Sequence, residues 1–464
     1  MNRIRTWRPR LPTVLLSTVL LFGIFGARAF ASQQLTIDDC IRLGLERNPQ
    51  LVTSRAGVVL AEARKRETVA GRLPSLKLTS GYAHLNPEPP FVISLPVEAG
   101  KSPVPETIIP AVNDNYSVKL TLQQPVFTGF RLDHAIRIAA DNAAAARSDY
   151  VQDRAQLVYN IKSGYWRLVQ ALRAKKIVER NIERMEGHLA DIGNFEAQGM
   201  ATRNDVLKVE VQLANARLAD LDARNGVRLS GVALDNLCGL PLDTEIEPAS
   251  VLPDSEGTVS STTLGFTTAD STPLPALIDS ALARRPEVKA TAARVKARVE
   301  GVGFARAAWF PQLMATGDYY YALPNQRQFP QKDRFSASWD VGLGLSWNVW
   351  DWGTAGFQTA QAEALLRQAQ AAFAVLKNGI ALEVTQDYLN WAETGEKVKV
   401  ARTGLAQAEE NENVARAGFK VGSVLTSDLL DAGANLLQAE LNLTQARTDQ
   451  EISRAKLEKT IGSK

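Results

Sequence analysis

The sequence predicts an α+β membrane protein built as a tandem structural repeat, each copy with two transmembrane β-strands and long coiled-coil helices. Three observations predict it. First, the chain repeats itself. Pro49 and Pro74 recur 237 residues later as Pro286 and Pro311. Leu120, Leu122, Val126, Tyr165, Gly199, Asp205 and Gly239 recur 223 residues later as Leu343, Leu345, Val349, Tyr388, Gly422, Asp428 and Gly462. Self-similarity at a fixed offset marks a duplicated structural unit. Second, each copy holds alternating apolar and polar runs of about 9–11 residues, the length a tilted strand needs to cross a bilayer core. Third, each copy then enters a very long stretch rich in Ala, Leu, Arg, Gln and Glu, all strong helix formers.

Residues 1–31 read as a signal peptide. Arg3, Arg5, Arg8 and Arg10 precede an apolar run from Val14 to Phe25, and Ala29-Phe30-Ala31 supplies the small-x-small cleavage pattern. That run has 12 residues, too few for a helix to span ~30 Å of hydrocarbon comfortably. The first repeat then occupies 32–247, a Ser/Thr/Pro/Gly-rich linker 248–273, and the second repeat 274–464.

Each repeat opens with a short amphipathic helix, Ile37 to Arg47 and Ala276 to Arg285, stopped by Pro49 and Pro286. A second helix ends near Pro74 and Pro311. The apolar period then switches from 3.6 to 2. Leu76, Leu78, Ser80 and Tyr82 share one face of the first strand, and Tyr319 and Tyr321 one face of its counterpart, Leu313 to Leu323. On the returning strands, Tyr116, Val118, Leu120 and Leu122 alternate with polar residues, as do Trp339, Val341, Leu343, Leu345 and Trp347. Trp339 on one side and Trp347, Trp350 and Trp352 on the other bracket the apolar stripe, as amphipathic rings do at the two water–lipid boundaries. The loop from His84 to Asn115 is Pro-rich and carries the 14-residue excess that changes the offset from 237 to 223. Arg131 to Gln198 forms a helix of 68 residues, on the order of 100 Å long, and Ala355 to Val421 its twin. Turns at Gly199 and Gly422 reverse the chain into Asn204 to Leu237 and Ser427 to Ile461, giving two αα-hairpins.

Composition excludes several classes. The leader holds five Arg and no acid, so 53 − 5 = 48 basic residues face 50 acidic ones in the mature chain, a net charge of −2. Nothing there argues for nucleic acid. Cys40 and Cys238 are the only cysteines; they pair or remain two buried thiols. His84, His134 and His188 show no ligand spacing, and no phosphate-binding loop, nucleophile elbow or zinc signature is present. The reading is therefore non-enzymatic, with no cofactor and no metal. The chain nonetheless has two acids on one helix face, Asp428 and Asp431, three residues apart.

Four strands cannot close a barrel, for which ~8 is the practical minimum, and open strand edges are not tolerated in hydrocarbon. The chain must then pool strands with copies of itself: two protomers give eight, three give twelve.

The segments "IDDCIRLGLERNP" (Ile37–Pro49), "LPSL" (Leu73–Leu76), "LQQPVFTGF" (Leu122–Phe130), "FEAQGMATRNDVL" and "FKVGSVLTSDLLDA" stand in one order and recur in the duplication. In these the chain resembles the TolC-like outer membrane efflux and secretion channels. The resemblance implies a homotrimer in the outer membrane of a Gram-negative bacterium, its shared β-barrel continued by a periplasmic α-barrel. It implies a passive conduit for a tripartite efflux or type I secretion system. Periplasmic adaptors (membrane fusion proteins) then dock at the hairpin tips, around Gly199, Met200, Gly422 and Ser423, and couple the conduit to an inner-membrane transporter. By the same resemblance Asp428 and Asp431 narrow the pore at the tip, and Asp205 matches an acidic latch position. Phe419 stands where the family has a tyrosine, and Val424 where it has an arginine. The other reading is a periplasmic adaptor or structural coiled-coil protein of an export complex, which would lack both the duplication and the aromatic-bracketed strands.

Overall fold

A computed structural model of the chain describes residues 33–86, 89–95, 104–109, 111–249 and 273–462. The expected signal peptide and all but the ends of the expected linker lie outside the described residues.

The first repeat runs β1 (Gln33–Leu35), α1 (Ile37–Arg47), α2 (Pro49–Ala70), β2 (Ser75–His84), β3 (Phe91–Leu95), β4 (Val104–Ile109), β5 (Asp114–Phe127), α3 (Arg131–Ala197), α4 (Arg203–Cys238) and β6 (Ile246–Pro248). The second runs α5 (Leu274–Arg284), α6 (Pro286–Arg306), β7 (Gln312–Leu323), β8 (Ser336–Ser346), α7 (Thr354–Lys420) and α8 (Thr426–Thr460). The bounds of α1, α3, α4, α5, α7 and α8 fall within two residues of those read from the sequence, whereas α2 and α6 end at Ala70 and Arg306, before the expected stops near Pro74 and Pro311.

Local chemistry sets the element ends. Thr36 and Asp39 form a capping box at the start of α1. Asn48 ends α1 and caps α2, accepting from Gln50 N–H at 2.9 Å while its Nδ2 donates to Leu237 O at 3.0 Å. Its twin in the second repeat, Arg285, is buried and solves the same problem with charge, meeting Glu287 at 3.0 Å and Glu383 at 2.6 Å.

β2, β5, β7 and β8 form one antiparallel sheet in that order, so the two repeats share a sheet through the β5–β7 pairing. The register lines up rows across it. Leu78, Leu120, Tyr319 and Trp339 make one row, and Leu76, Leu122, Gly317 and Val341 another. On the opposite face Thr79, Lys119, Tyr320 and Ser338 are in line.

Where strand becomes helix, two successive residues take the left-handed conformation: Gly129 (φ 62°) and Phe130 (φ 65°) before α3, Trp352 (φ 56°) and Gly353 (φ 82°) before α7. The pairs are twins at the 223 offset, yet the glycine has changed places within them. The backbone bend is thus retained while its sequence is not. At Gly129 a side chain is also barred by space, since a Cβ would lie 2.7 Å from Phe310 Cβ and 2.8 Å from Ala307 O.

The structure departs from the sequence reading in three places. The Pro-rich first loop contains an antiparallel hairpin, β3–β4. A short parallel pair, β1–β6, ties the start of the described chain to the residues after α4. That pair reaches Pro248, and Ala249 N–H donates to Leu35 O at 3.0 Å, so the first residues of the expected linker are held against β1.

Among the described residues four apolar cores anchor the helices, a small one around Val398 and Leu443 between α7 and α8 and three larger ones. One joins α1 and β1 to α3 and α4 around Ile161, Tyr165 and Leu234. Its twin joins α5 to α7 and α8 around Leu277, Val384 and Ile461. The third gathers all four hairpin ends around Ile192, Val209, Phe419 and Leu429. Between the cores, α3 and α8 meet along a polar seam: Lys162–Glu458 at 2.9 Å, Arg180–Glu440 and Arg184–Glu440 each at 3.3 Å.

Candidate functional site

The sheet has two chemically distinct faces. One carries Trp339, Val341, Leu343, Leu345 and Trp347, 74, 76, 72, 69 and 54% exposed in the isolated protomer. Leu76, Leu78 and Tyr82 are as open on β2. So large an exposed apolar surface requires a cover.

Aromatic rings gather at both ends of this face. Towards the loops, Tyr82 and Tyr116 lie 4.9 Å apart, Phe335 stacks on Tyr321 at 5.1 Å, and Trp339 stands beside them in the register. Towards the helices, Phe130 meets Phe127 at 5.3 Å and Phe310 at 5.8 Å, and Trp350 meets Trp352 at 5.8 Å. Trp347 Nε1–H donates to Trp309 O at 3.1 Å. The four tryptophans singled out from the sequence therefore sit at the two ends of the apolar face. The additional rings come from the register and from the helix–strand corner, which one strand's alternation does not reveal. Eight residues separate Trp339 from Trp347, about 27 Å along a strand and about 21 Å at a 40° tilt, against an apolar band of ~25 Å.

The other face is polar. Lys119 Nζ lies 3.1 Å from Asp318 Oδ2 and 4.8 Å from the centre of the Tyr320 ring. Arg327, from the loop between β7 and β8, sits 4.3 Å from the same ring and pairs with Asp340. Asn325 holds this loop down, donating to Ser336 O at 3.1 Å and Ser338 Oγ at 3.0 Å. A lysine, an arginine and two aspartates thus line the polar face at its loop end. Sequence alternation placed Lys119 there; Arg327 arrives by a loop fold that carries no local signal.

The hairpin tips end both long helices in the same way. Met200 N–H donates to Phe195 O at 2.8 Å and Ser423 N–H to Gly418 O at 2.9 Å, around Gly199 (φ 73°) and Gly422 (φ 75°). This is the Schellman closure, which requires the left-handed residue. Met200, Val421 and Leu425 project as exposed apolar side chains. Beneath them Phe195 and Phe419 meet at 5.4 Å. Phe419 is buried in the tip core.

The three candidate acids are not alike. Asp205 closes a capping box: Thr202 Oγ1–H donates to its Oδ2 at 2.6 Å, Thr202 N–H to the same oxygen at 3.2 Å, and Asp205 N–H donates back to Thr202 Oγ1 at 3.3 Å. Lys208 reaches its other oxygen at 3.4 Å. The Thr202 hydroxyl holds this carboxyl below the usual carboxylate range. Within the protomer Asp205 is therefore occupied by its own helix start. Asp428 and Asp431 are exposed and belong to none of the ion pairs among the described residues. Asp431 lines a groove between α4 and α8 with Asn204, Leu207 and Lys208, so the tip brings it near the Asp205 turn.

One buried polar group at this level has no sequence signature. His188 of α3 is packed facing Glu412 and Arg416 of α7, with Asp191 and Arg184 nearby on its own helix. Burial pushes its pKa down, and its Nε2 finds no hydrogen-bond partner among the described residues. Among the described residues no group of acids, histidines and cysteines has metal-binding geometry, and no helix is long and apolar enough to cross a membrane.

Comparison with known proteins agrees with this geometry. The family model described as outer membrane efflux protein matches residues 40–240 and 277–463, one match in each repeat. The outer membrane efflux protein BepC of Brucella suis biovar 1 (strain 1330) is 24% identical over 439 residues, covering 94% of this chain and 86% of BepC. Outer membrane protein TolC of Vibrio cholerae serotype O1 (strain El Tor Inaba N16961) is 23% identical, covering 90% of this chain and 88% of that protein. Among solved structures, the Campylobacter jejuni CmeC outer membrane channel superposes with a TM-score of 0.75 at 15% identity, over 98% of this chain and 94% of that one.

Proposed function

The chain belongs to the outer membrane efflux protein family, and from that membership we propose that three copies form the passive outer-membrane conduit of a tripartite efflux or type I secretion machine. It is an outer membrane channel and not an enzyme. The observation that carries the assembly is the open sheet. Its edge strands, β2 and β8, leave their outer backbone groups unpaired in one protomer, and one whole face is apolar. Unpaired backbone is not tolerated in hydrocarbon, so β8 of one copy pairs with β2 of the next until the ring closes. Two copies would give a narrow eight-stranded barrel filled by its own side chains; three give twelve strands around an open lumen. The Lys119–Tyr320–Arg327 face then lines the lumen, and the paired hairpins continue it as a helical tube.

At the tube's far end we assign Asp428 and Asp431 as the carboxylates of the closed tip. Three copies place six such groups around one axis. Like charges at close range repel and draw cations, so a closed ring of this kind favours cation passage and resists tight constriction. Asp205 is assigned to its helix cap. The exposed apolar side chains Met200, Val421 and Leu425, beside Gly199, Gly422 and Ser423, supply a surface for a periplasmic adaptor that links the conduit to an inner-membrane transporter. Energy and cargo choice reside in that transporter.

Cysteines introduced along β2 and β8 test the ring. Oxidised outer membranes should yield a covalent trimer on denaturing gels; a ladder ending at the dimer, or monomer alone, refutes it. Single-channel recording of D428A/D431A tests the tip: cation selectivity should fall, and unchanged selectivity rejects that assignment.

A further inference from the structure

We propose that Cys40 and Cys238 form a disulfide in the exported protein, stapling the first repeat and not the second. The two residues are 198 apart in sequence. The fold places them together: Cys40 in α1 and Cys238 at the end of α4 are both 0% exposed and lie in one apolar core with Leu35, Leu51 and Tyr165. The Cys238 thiol donates to Cys40 O at 3.7 Å. In the structure both are thiols. They are the chain's only cysteines, so no competing pairing exists within it.

The duplication supplies an internal control. The twin of Cys40 at the 237 offset is Leu277, and the twin of Cys238 at the 223 offset is Ile461. Leu277 and Ile461 are buried in one core of the second repeat. The two positions thus belong to one core in both copies. One copy fills them with aliphatic side chains and the other with two thiols.

The chemistry suits the location. An outer membrane protein folds through an oxidising compartment where disulfides persist. The two thiols lose two electrons and two protons, and one S–S bond forms. The electrons pass to the disulfide of a periplasmic thiol oxidant, which is reduced to a dithiol. The contact between them pushes the Cys238 thiol up and the Cys40 thiol down, and both are fully buried, so an oxidant cannot reach the enclosed pair. Oxidation therefore precedes closure of the core, and the finished bond is shielded from reductants. It closes a covalent loop containing β2, β5 and the whole α3–α4 hairpin.

The proposal rests on export and not on the oligomer. Its test is thiol counting on protein from outer membranes, denatured in guanidinium with a maleimide–polyethylene glycol. Expected is no adduct without reductant and two after reduction, with the unreduced chain two hydrogens lighter by intact mass. Two adducts without reductant overturn it. A double variant copying the second repeat, C40L/C238I, separates the staple from mere packing. The wild-type unfolding midpoint in urea should fall on reduction while that of the variant stays fixed; a wild-type midpoint unmoved by reduction overturns the stapling role.

Discussion

An arginine scan along β8 tests which face of the sheet meets lipid. Trp339, Val341, Leu343, Leu345 and Trp347 point the same way, and Leu343 is four residues from each terminal tryptophan. At ~3.4 Å per residue it lies about 14 Å along the strand from either aromatic boundary, close to the middle of the apolar band. Arginine at a bilayer midplane costs about 2–4 kcal/mol, and near the interfaces about 0–1 kcal/mol. L343R should therefore lose about 3 kcal/mol per protomer, or roughly 9 kcal/mol over a trimer, with V341R and L345R intermediate and W339R and W347R least affected. Arginine at Gly342 or Gly344, on the polar face, should cost much less. The assay is urea-driven unfolding from lipid vesicles, read by tryptophan fluorescence and by loss of the heat-modifiable oligomer. A profile that is flat along the five positions would refute the lipid-facing assignment, because a protein-packed face has no reason to follow depth. So would equal losses at Leu343 and Gly344.

Three further outcomes follow from the helices and their ends. Removing the Phe419 ring from the tip core should cost about 3 kcal/mol locally and raise protease cleavage at the 198–202 and 421–425 turns, read by limited proteolysis; unchanged cleavage would show that the tip core is not what holds the hairpins together. His188 is held neutral by burial, its folded pKa below 6.5, so its contribution is fully present above about pH 6.5 and is lost as pH falls through the lowered value. Tip proteolysis should rise between pH 7 and pH 5 in the wild type and much less in H188Q; parallel curves for the two would remove His188 from the account. Gly129→Ala should cost about 2 kcal/mol or more, because the new Cβ meets Phe310 and Ala307 and the residue is left-handed, whereas Gly353→Ala meets only Phe357 at 3.4 Å and should cost about 1 kcal/mol. Equal thermal shifts for the two would contradict the crowding at Gly129.

Much of this architecture is written in local chemistry. Pro49 and Pro286 stop helices whatever surrounds them, and the strand faces follow from alternation that covers every residue from Leu76 to Tyr82 and from Trp339 to Trp347. What escaped has a common cause. The β3–β4 hairpin is peppered with proline, Pro105 itself pairing with Ser94, so propensity spoke against strands that cross-strand pairing nevertheless supports. β1 and β6 are three residues each, too short for any period, and parallel pairing between Leu35 and Pro248 is purely tertiary. Neither Phe130 nor Trp352 carries a local signal for a left-handed backbone; only their twinned position beside a glycine betrays the bend. At the tip, Asp205 looks like Asp428 by offset, yet Thr202 claims its carboxylate. The equivalent helix of the second repeat, α8, starts after Leu425 at the cap position and has no side-chain cap at all. Identical spacing therefore did not mean identical use.

The unbroken length of α3 has a mechanical corollary. From the core at Tyr165 to its end at Ala197 the helix runs 32 residues, about 48 Å, without a proline or a kinking insertion. A rod of that reach works as a lever. A swing of only 5° about the core displaces the far end by about 4 Å, comparable with the radius of a helix. In the proposed trimer, a narrow aperture at the extremity would then be dilated by rotations too small to disturb the packing that serves as fulcrum. Force applied there by the proposed adaptor would be relayed back to that fulcrum with the same mechanical advantage.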